Sequence, residues 1–360
     1  MKEFNSYRFG TGRYIQEEEV LEYAGQEILR YGKNAYLLTG FHAWEAVKEG
    51  FIPSLQASGI VWTKNEYTGF PSYESVEKIS EDFERAGCDV FVGIGGGKIM
   101  DLSKAVAFHL HVPVVLIPTS SATCAAFSPL SVMYTDEGKC VGSLDFDKEV
   151  DEVLVDETVL SLQPPRLAAA GIMDAMAKYI EISNGKPEIT LETDTINKFS
   201  AYSMAQFTYK ILEEYGRQAY LDIEQKKLSP TVHNIIFTTI AVTGVISAMM
   251  RGHSQTALAH KLYESLRTLY FKECEEYLHG EIVATGLIMQ LKYNHNEEQI
   301  PKLKEYMTVM EMPMNLKELG LSCDDVVEEK LCEKLAESRF VEDTDEARRN
   351  LGEAMKEIIV

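Results

Sequence analysis

Residues 89 to 110 read "DVFVGIGGGKIMDLSKAVAFHL": a short apolar run, then Gly93, Gly95, Gly96 and Gly97, then a helical pattern. The β-branched and aromatic content of the run predicts a strand, and the pattern after it predicts a helix. Glycines at such a turn permit positive φ and let the backbone approach a ligand, while the helix N-terminus offers unpaired N–H groups to an anion. The spacing is neither GxGxxG nor GxxxxGK[ST], so these residues alone describe either a pyrophosphate cradle or a tight turn with no ligand.

Outward from this turn the same alternation repeats. "AYLLTG", "GIVWT" and "VPVVLIP" read as further strands, separated by amphipathic stretches such as "SYESVEKISEDFERAG", which predicts parallel strands joined by helices. From "SLQPPRLAAAGIMDAMAKYIE" onward, long helical patterns take over. Proline is tolerated in a helix only within the first turn, so Pro164–Pro165 marks the change. The expected organisation is an α/β domain over 1–163 and an all-α domain over 164–360. At 360 residues the chain has the length for two domains.

An apolar fraction of 45% with 25% charged residues is the balance of a globular chain. The net charge of −21 repels a phosphate backbone or an anionic bilayer, so neither nucleic acid nor a membrane is an expected partner. Cys88, Cys124, Cys140, Cys274, Cys323 and Cys332 lie far apart without a CxxC pair. Neither a disulfide framework nor a thiolate zinc site is indicated, and reduced thiols in the cytoplasm are the simplest account. No stretch of 18 consecutive apolar residues and no export signal is visible.

The glycine turn, with "IPTSSATCAAFSPLSVMYTDEG" at 117–138 after it, resembles the iron-containing alcohol dehydrogenase superfamily, in particular its glycerol dehydrogenase branch. The ordered set GGGKxxDxxKA, IPT, a Ser/Ala-rich loop and LSVxYxxxG carries the likeness, which runs from "GTGRYI" to "HGEIVATGL" at 279–287. It implies the dehydroquinate synthase-like fold, with a dinucleotide, NAD or NADP, at the carboxyl ends of the first domain's strands. Gly95, Gly96, Gly97 and Lys98 would meet the pyrophosphate; Thr119, Ser120, Ser121 and Ala122 would line the cofactor; Ser128, Leu130 and Tyr134 would complete its pocket. Asp101 is read as structural, since a carboxylate suits the first turn of a helix whether or not it touches a ligand.

The same resemblance assigns one divalent ion to Asp174, His260 and His279. Two imidazoles and a carboxylate with open positions form the ligand set of a catalytic zinc or iron(II) site. Alone, each residue is read as a surface or core group; their order and context carry the assignment. Where glycerol dehydrogenases often show a further His, three residues after the first, stands Tyr263, which leaves three protein ligands and favours zinc over iron. His253 is read as a supporting residue. Asp174, His260 and His279 would act in catalysis through the ion, a Lewis acid on a carbonyl or alkoxide oxygen, with hydride passing to or from the nicotinamide.

Two positions depart from the glycerol dehydrogenase pattern. Cys124 stands where an aspartate meets the polyol, and a thiol neither accepts a polyol's hydroxyls as a carboxylate does nor repels an anion. The loop resembles a hydroxycarboxylate dehydrogenase subgroup that interconverts 2-oxo and 2-hydroxy acids. An anionic substrate needs a cation near the ion, and Arg251 and Lys178 are the candidates. At the end of "AYLLTGFHAWEA" no acid meets the ribose 2′-OH, and His42 offers a neighbour for a 2′-phosphate, so NADP is accepted in the expectation alongside NAD. The expected function is a metal-dependent oxidoreductase on a small alcohol or carbonyl, a 2-hydroxy acid pair foremost, assembled as a homo-oligomer. Glycerol or another polyol is the alternative substrate, and a dehydroquinate synthase-like lyase the alternative of another class.

Overall fold

A computed structural model describes residues 7–250 and 255–359. They form two compact units, one holding the chain up to Pro164 with Asp222–Ala248, the other Pro165–Leu221 with Met249 onward.

The first unit runs through β1 (Thr11–Glu17), α1 (Ala24–Ile28), β2 (Asn34–Thr39), α2 (Phe41–Ala57), β3 (Val61–Glu66), α3 (Tyr73–Ala86), β4 (Val90–Gly95), α4 (Gly97–Leu110), β5 (Val114–Pro118), β6 (Leu130–Tyr134), β7 (Cys140–Asp145), β8 (Val150–Asp156) and α5 (Glu157–Ser161). Six strands pair in parallel in the order β1-β8-β5-β4-β2-β3. Every residue of β4 and β5 is buried, the continuous burial of strands covered on both faces. The strands and helix expected around the glycine turn are all present. Ser72 starts α3 by accepting the Ser75 N–H, and Gly87, at φ 64°, ends it. β6 and β7 form a separate antiparallel pair, absent from the expected alternation because short, half-buried ribbons carry a weak pattern.

Strand order sets where a ligand can enter. From β2 the chain adds β3 on one side, then returns to add β4, β5 and β8 on the other. The reversal falls between β2 and β4, and open α/β sheets bind ligands outside the carboxyl ends of the strands at such a point. Gly40 and Gly96 sit there as the N-caps of α2 and α4.

The second unit contains α6 (Pro165–Ser183) and α7 (Ile196–Glu224), whose last residues join the first unit. After α8 (Pro230–Phe237) and α9 (Thr243–Met249) come α10 (Leu258–Leu269), α11 (Phe271–Cys274), α12 (His279–Tyr293), α13 (Ile300–Val309), α14 (Asp325–Ala336) and α15 (Asp345–Met355). The division departs from the expected 164–360 domain, since Asp222–Ala248 packs into the first unit. There Gln16 Nε2 donates to the His233 carbonyl, the Tyr14 ring meets Phe237 edge-on at 5.6 Å, and Gly244 lies against Phe127. A helical composition does not reveal such a return, because packing partners are not local. Pro230–Met249 is also the one helical run among the described residues with membrane-crossing length and composition, and 67% of its window is buried.

Candidate metal centre and dinucleotide cradle

Three helices of the second unit approach one another closely because small residues line their contacts. A Cβ on Gly280 would lie 2.0 Å from the Ala170 carbonyl oxygen, and one on Gly286 2.6 Å from the Ala259 Cα. Gly280 and Gly286 therefore set α12 directly against α6 and α10. That approach brings together Asp174 from α6, His260 from α10 and His279 at the first position of α12. One ligand atom from each lies within 4.8 Å of the others.

The carboxylate is the centre of the group. His260 Nε2 is 3.2 Å and His279 Nε2 3.5 Å from Asp174 Oδ1, an atom that is buried and has no hydrogen-bond partner. No hydrogen bond satisfies this buried oxygen, and one carboxylate with two imidazoles is a donor set that matches a divalent ion with open positions. Burial alone would raise the Asp174 pKa, but the Lys178 ammonium and then His260 and His279 hold it well below the usual range. Lys178 Nζ lies 3.5 Å from the same oxygen, one helical turn along α6.

Glu181 lies on the same face of α6, seven residues beyond Asp174, and is 1% exposed. Its Oε2 takes His260 Nδ1, and its Oε1 accepts the N–H groups of Ala257 and His260 at 2.7 and 2.9 Å. One carboxylate thus fixes the imidazole's orientation, leaving Nε2 toward Asp174, and satisfies the start of α10. Burial opposes a charge on His260, yet the Glu181 carboxylate raises its pKa to about 9; burial lowers that of His279. Gln290 of α12 completes the α10 terminus, accepting from Leu258 N–H at 2.6 Å. Tyr263 packs edge-on to His279, with ring centroids 4.4 Å apart, and so fills space against a ligand.

Glu181 was absent from the residues expected at the site, although a signal existed: in "GIMDAMAKYIE" the charged residues Asp174, Lys178 and Glu181 recur at helical spacing in an otherwise mostly apolar run. His253 and Arg251 lie outside the described residues.

The first unit carries the glycine turn between β4 and α4. Gly96 caps α4 without any side-chain hydrogen bond, and the N-terminus of a fourteen-residue helix is a position that suits an anion. A Cβ on Gly95 would come within 2.9 Å of Ile99, and one on Gly97 3.1 Å from Thr123 Oγ1. Gly93 has another use, since a Cβ there would meet Ser103 Oγ at 2.3 Å as α4 packs on β4. Lys98 lies with Nζ 3.8 Å from the Phe70 ring centroid, and Phe70 in turn meets Tyr134 at 5.5 Å.

The loop after β5 is held from beneath. The Thr119 N–H donates to the Gly95 carbonyl at 2.9 Å, which binds the loop to the turn. Ser121 is engaged by Gln163, whose Oε1 accepts its N–H at 2.9 Å. Lys104, 2% exposed, donates to the carbonyls of Ala125, Ser128 and Leu130 and pairs with Asp101 at 3.1 Å. Asp101 Oδ2 also accepts the Val132 N–H, so it ties α4 to β6. Burial raises the Asp101 pKa and lowers that of Lys104. Ser120 is buried at the turn, Ala122 and Cys124 are half-buried, and the Cys124 carbonyl accepts the N–H groups of Phe127 and Ser128. The Ser121 and Ser128 groups named above therefore hold the loop together.

A glycine turn at a sheet's switch point and a carboxylate–imidazole cluster fit a metal-dependent, nicotinamide-linked oxidoreductase. The comparisons carry this further. A family model described as iron-containing alcohol dehydrogenase matches residues 11–156. The glycerol dehydrogenase of Thermotoga maritima is 32% identical over 331 residues, 90% of this chain and 88% of that one. Hydroxycarboxylate dehydrogenase A of Escherichia coli is 30% identical over 239 residues, 66% of this chain and 65% of its own. The crystal structure of a probable glycerol dehydrogenase from Sinorhizobium meliloti shares the fold at a TM-score of 0.82, with 24% identity over 97% of this chain and 98% of that one. The chain belongs to the iron-containing alcohol dehydrogenase family. It is a metal-dependent, nicotinamide dinucleotide-linked alcohol dehydrogenase acting on CH–OH, and the dehydrogenase expectation stands over the lyase one.

Proposed function

We propose that the protein interconverts small 2-oxo and 2-hydroxy acids, using zinc held by Asp174, His260 and His279 and a dinucleotide held by the turn at Gly95, Gly96, Gly97 and Lys98. The buried Asp174 Oδ1, without a hydrogen-bond partner and facing two imidazole Nε2 atoms, carries the zinc part of the reading. When bound, the ion supplies Lewis acidity to the substrate oxygen and the dinucleotide supplies or accepts the hydride. The chain's own residues do the rest. Glu181 keeps the His260 Nδ1 proton, so that Nε2 is the ligand atom. Tyr263 against His279 limits the protein ligands to three, which suits zinc. The α4 N–H groups meet the pyrophosphate, Thr119, Ser120, Ser121 and Ala122 shape the loop beside it, and Ser128, Leu130 and Tyr134 close the pocket.

Cys124 supports the acid substrate, since a thiol in place of a carboxylate removes a repulsion. Thr39 and Gly40 end β2 without an acid, and His42 is exposed, which supports use of NADP as well as NAD. Glycerol and other polyols form the second reading, favoured by the T. maritima relative's name.

Metal analysis of the purified protein, with NADH and NADPH oxidation measured against 2-oxo acids, aldehydes and dihydroxyacetone, tests these readings together. Zinc at one equivalent and fastest turnover of a 2-oxo acid is expected; no metal, or turnover confined to polyols, would sink the proposal. Replacement D174N is expected to abolish metal binding and turnover while dinucleotide affinity stays within about threefold. Equal loss of both would mean that the residues are misassigned.

A further inference from the structure

Asp174, Lys178 and Glu181 follow one another along one face of α6 as carboxylate, ammonium, carboxylate, all at least nine-tenths buried. Lys178 Nζ approaches the same Asp174 Oδ1 that His260 and His279 approach, at 3.5 Å. Such a lysine is costly beside a divalent ion, because two cations then share one carboxylate oxygen in a poorly solvated place. The cost has a use if a substrate brings the missing negative charge.

Counted over the side chains named here, Asp174 and Glu181 contribute two negative charges, while a divalent ion and Lys178 contribute three positive ones with both imidazoles neutral. Without Lys178 the group would be neutral and suited to an uncharged carbonyl or alcohol. With it, the ion and these side chains sum to one net positive charge, which suits a substrate that brings one carboxylate. The chemistry also sets where that cation must be. In a 2-oxo acid the carboxylate and the reacting carbonyl are on adjacent carbons, so a group that holds the carboxylate has to lie beside the group that polarises the carbonyl. Lys178 shares its carboxylate neighbour with both imidazole ligand atoms.

We infer that Lys178 is the specificity residue for this dehydrogenase, its ammonium anchoring the carboxylate of a 2-oxo or 2-hydroxy acid substrate. The inference rests on the proposed metal site and names what makes that site select an acid. An ammonium is a compact charge that meets one carboxylate oxygen without the bidentate geometry of a guanidinium, so charge alone is required of position 178.

The test compares one 2-oxo acid with its methyl ester, which keeps the carbonyl and removes the charge. The wild-type protein is expected to favour the acid in kcat/KM. The variant K178M is expected to lose about 10- to 100-fold on the acid and much less on the ester, with the loss mainly in KM, while K178R keeps the preference. Calorimetric binding of oxamate, an unreactive carboxylate analogue, to the zinc-loaded proteins gives a second readout and should weaken by the same factor in K178M. A wild-type preference for the ester, an equal loss on acid and ester, or unchanged oxamate affinity in K178M each overturns the inference. Zinc content separates its failure from that of the parent reading. A zinc-loaded wild type that favours the acid and binds oxamate, with a zinc-loaded K178M that does both equally well, removes only the role of Lys178. A wild type that takes up no zinc removes both, and because the ester comparison uses the native chain, a K178M that fails to fold leaves the inference open to refutation.

Discussion

Glu181 supports the candidate metal centre without being one of its proposed ligands. It holds His260 Nδ1 and caps α10 at once, so its removal acts on both the imidazole's tautomer and the position of its helix. The variant E181Q keeps the shape but can donate from one end, and is expected to weaken zinc binding by about 10- to 100-fold, read by competition with a chromophoric chelator. Unchanged affinity would mean that His260 is oriented by packing alone. Cys124 is the residue through which substrate class is argued. C124D is expected to raise polyol turnover relative to 2-oxo acid turnover, and a ratio that does not move would remove this loop position from specificity.

At the scale of elements, close approach is what makes the centre possible. Gly280 and Gly286 seat α12 on α6 and α10, and any side chain at 280 would press on the Ala170 carbonyl. G280A is therefore expected to cost about 1–3 kcal/mol of stability in thermal unfolding and, by shifting His279 from Asp174, to lower zinc affinity as well. Stability lost with zinc affinity intact would show that the helix pair does not position the ligands. In the other unit Lys104 joins α4 to the loop before β6 through three carbonyls and Asp101. K104M leaves a buried carboxylate and carbonyls without a partner, for which about 3–5 kcal/mol is expected, together with weaker dinucleotide binding measured by fluorescence titration. This gives the "GGGKIMDLSKA" stretch a use beyond its glycines, since Lys104 and Asp101 hold the loop that follows.

At the scale of the molecule the two sets of candidate ligand-binding residues belong to different units, the turn and its loop to the first and Asp174, His260 and His279 to the second. Chelation should act on the helical unit. A ligand present at 100 times its Kd contributes about 2.7 kcal/mol to the folded state, so removing zinc is expected to lower the calorimetric transition of that unit in the wild type and to leave D174N unmoved. A dinucleotide should instead raise the transition of the α/β unit in both proteins. A chelator effect of equal size in D174N would place the ion elsewhere.

The sequence by itself determined the parts that depend on neighbours along the chain: the β2, β3, β4 and β5 strands, the helices after β2, β3 and β4, the glycine turn between β4 and α4, and the start of the helical region at Pro165. Local pattern suffices there because strand and helix periods and turn chemistry act over a few residues. It also presented Asp174, His260 and His279 in order, and resemblance made them a set. What only the tertiary structure decided depends on residues distant in the chain. Glu181 reaches His260 across 79 positions, Lys104 takes carbonyls up to 26 positions away, and Asp222–Ala248 returns to the α/β unit. The buried Asp174 oxygen without a hydrogen bond, and the charged groups around it, likewise exist only once α6, α10 and α12 are packed, because burial and charge proximity are properties of the packed helices and not of any stretch of sequence.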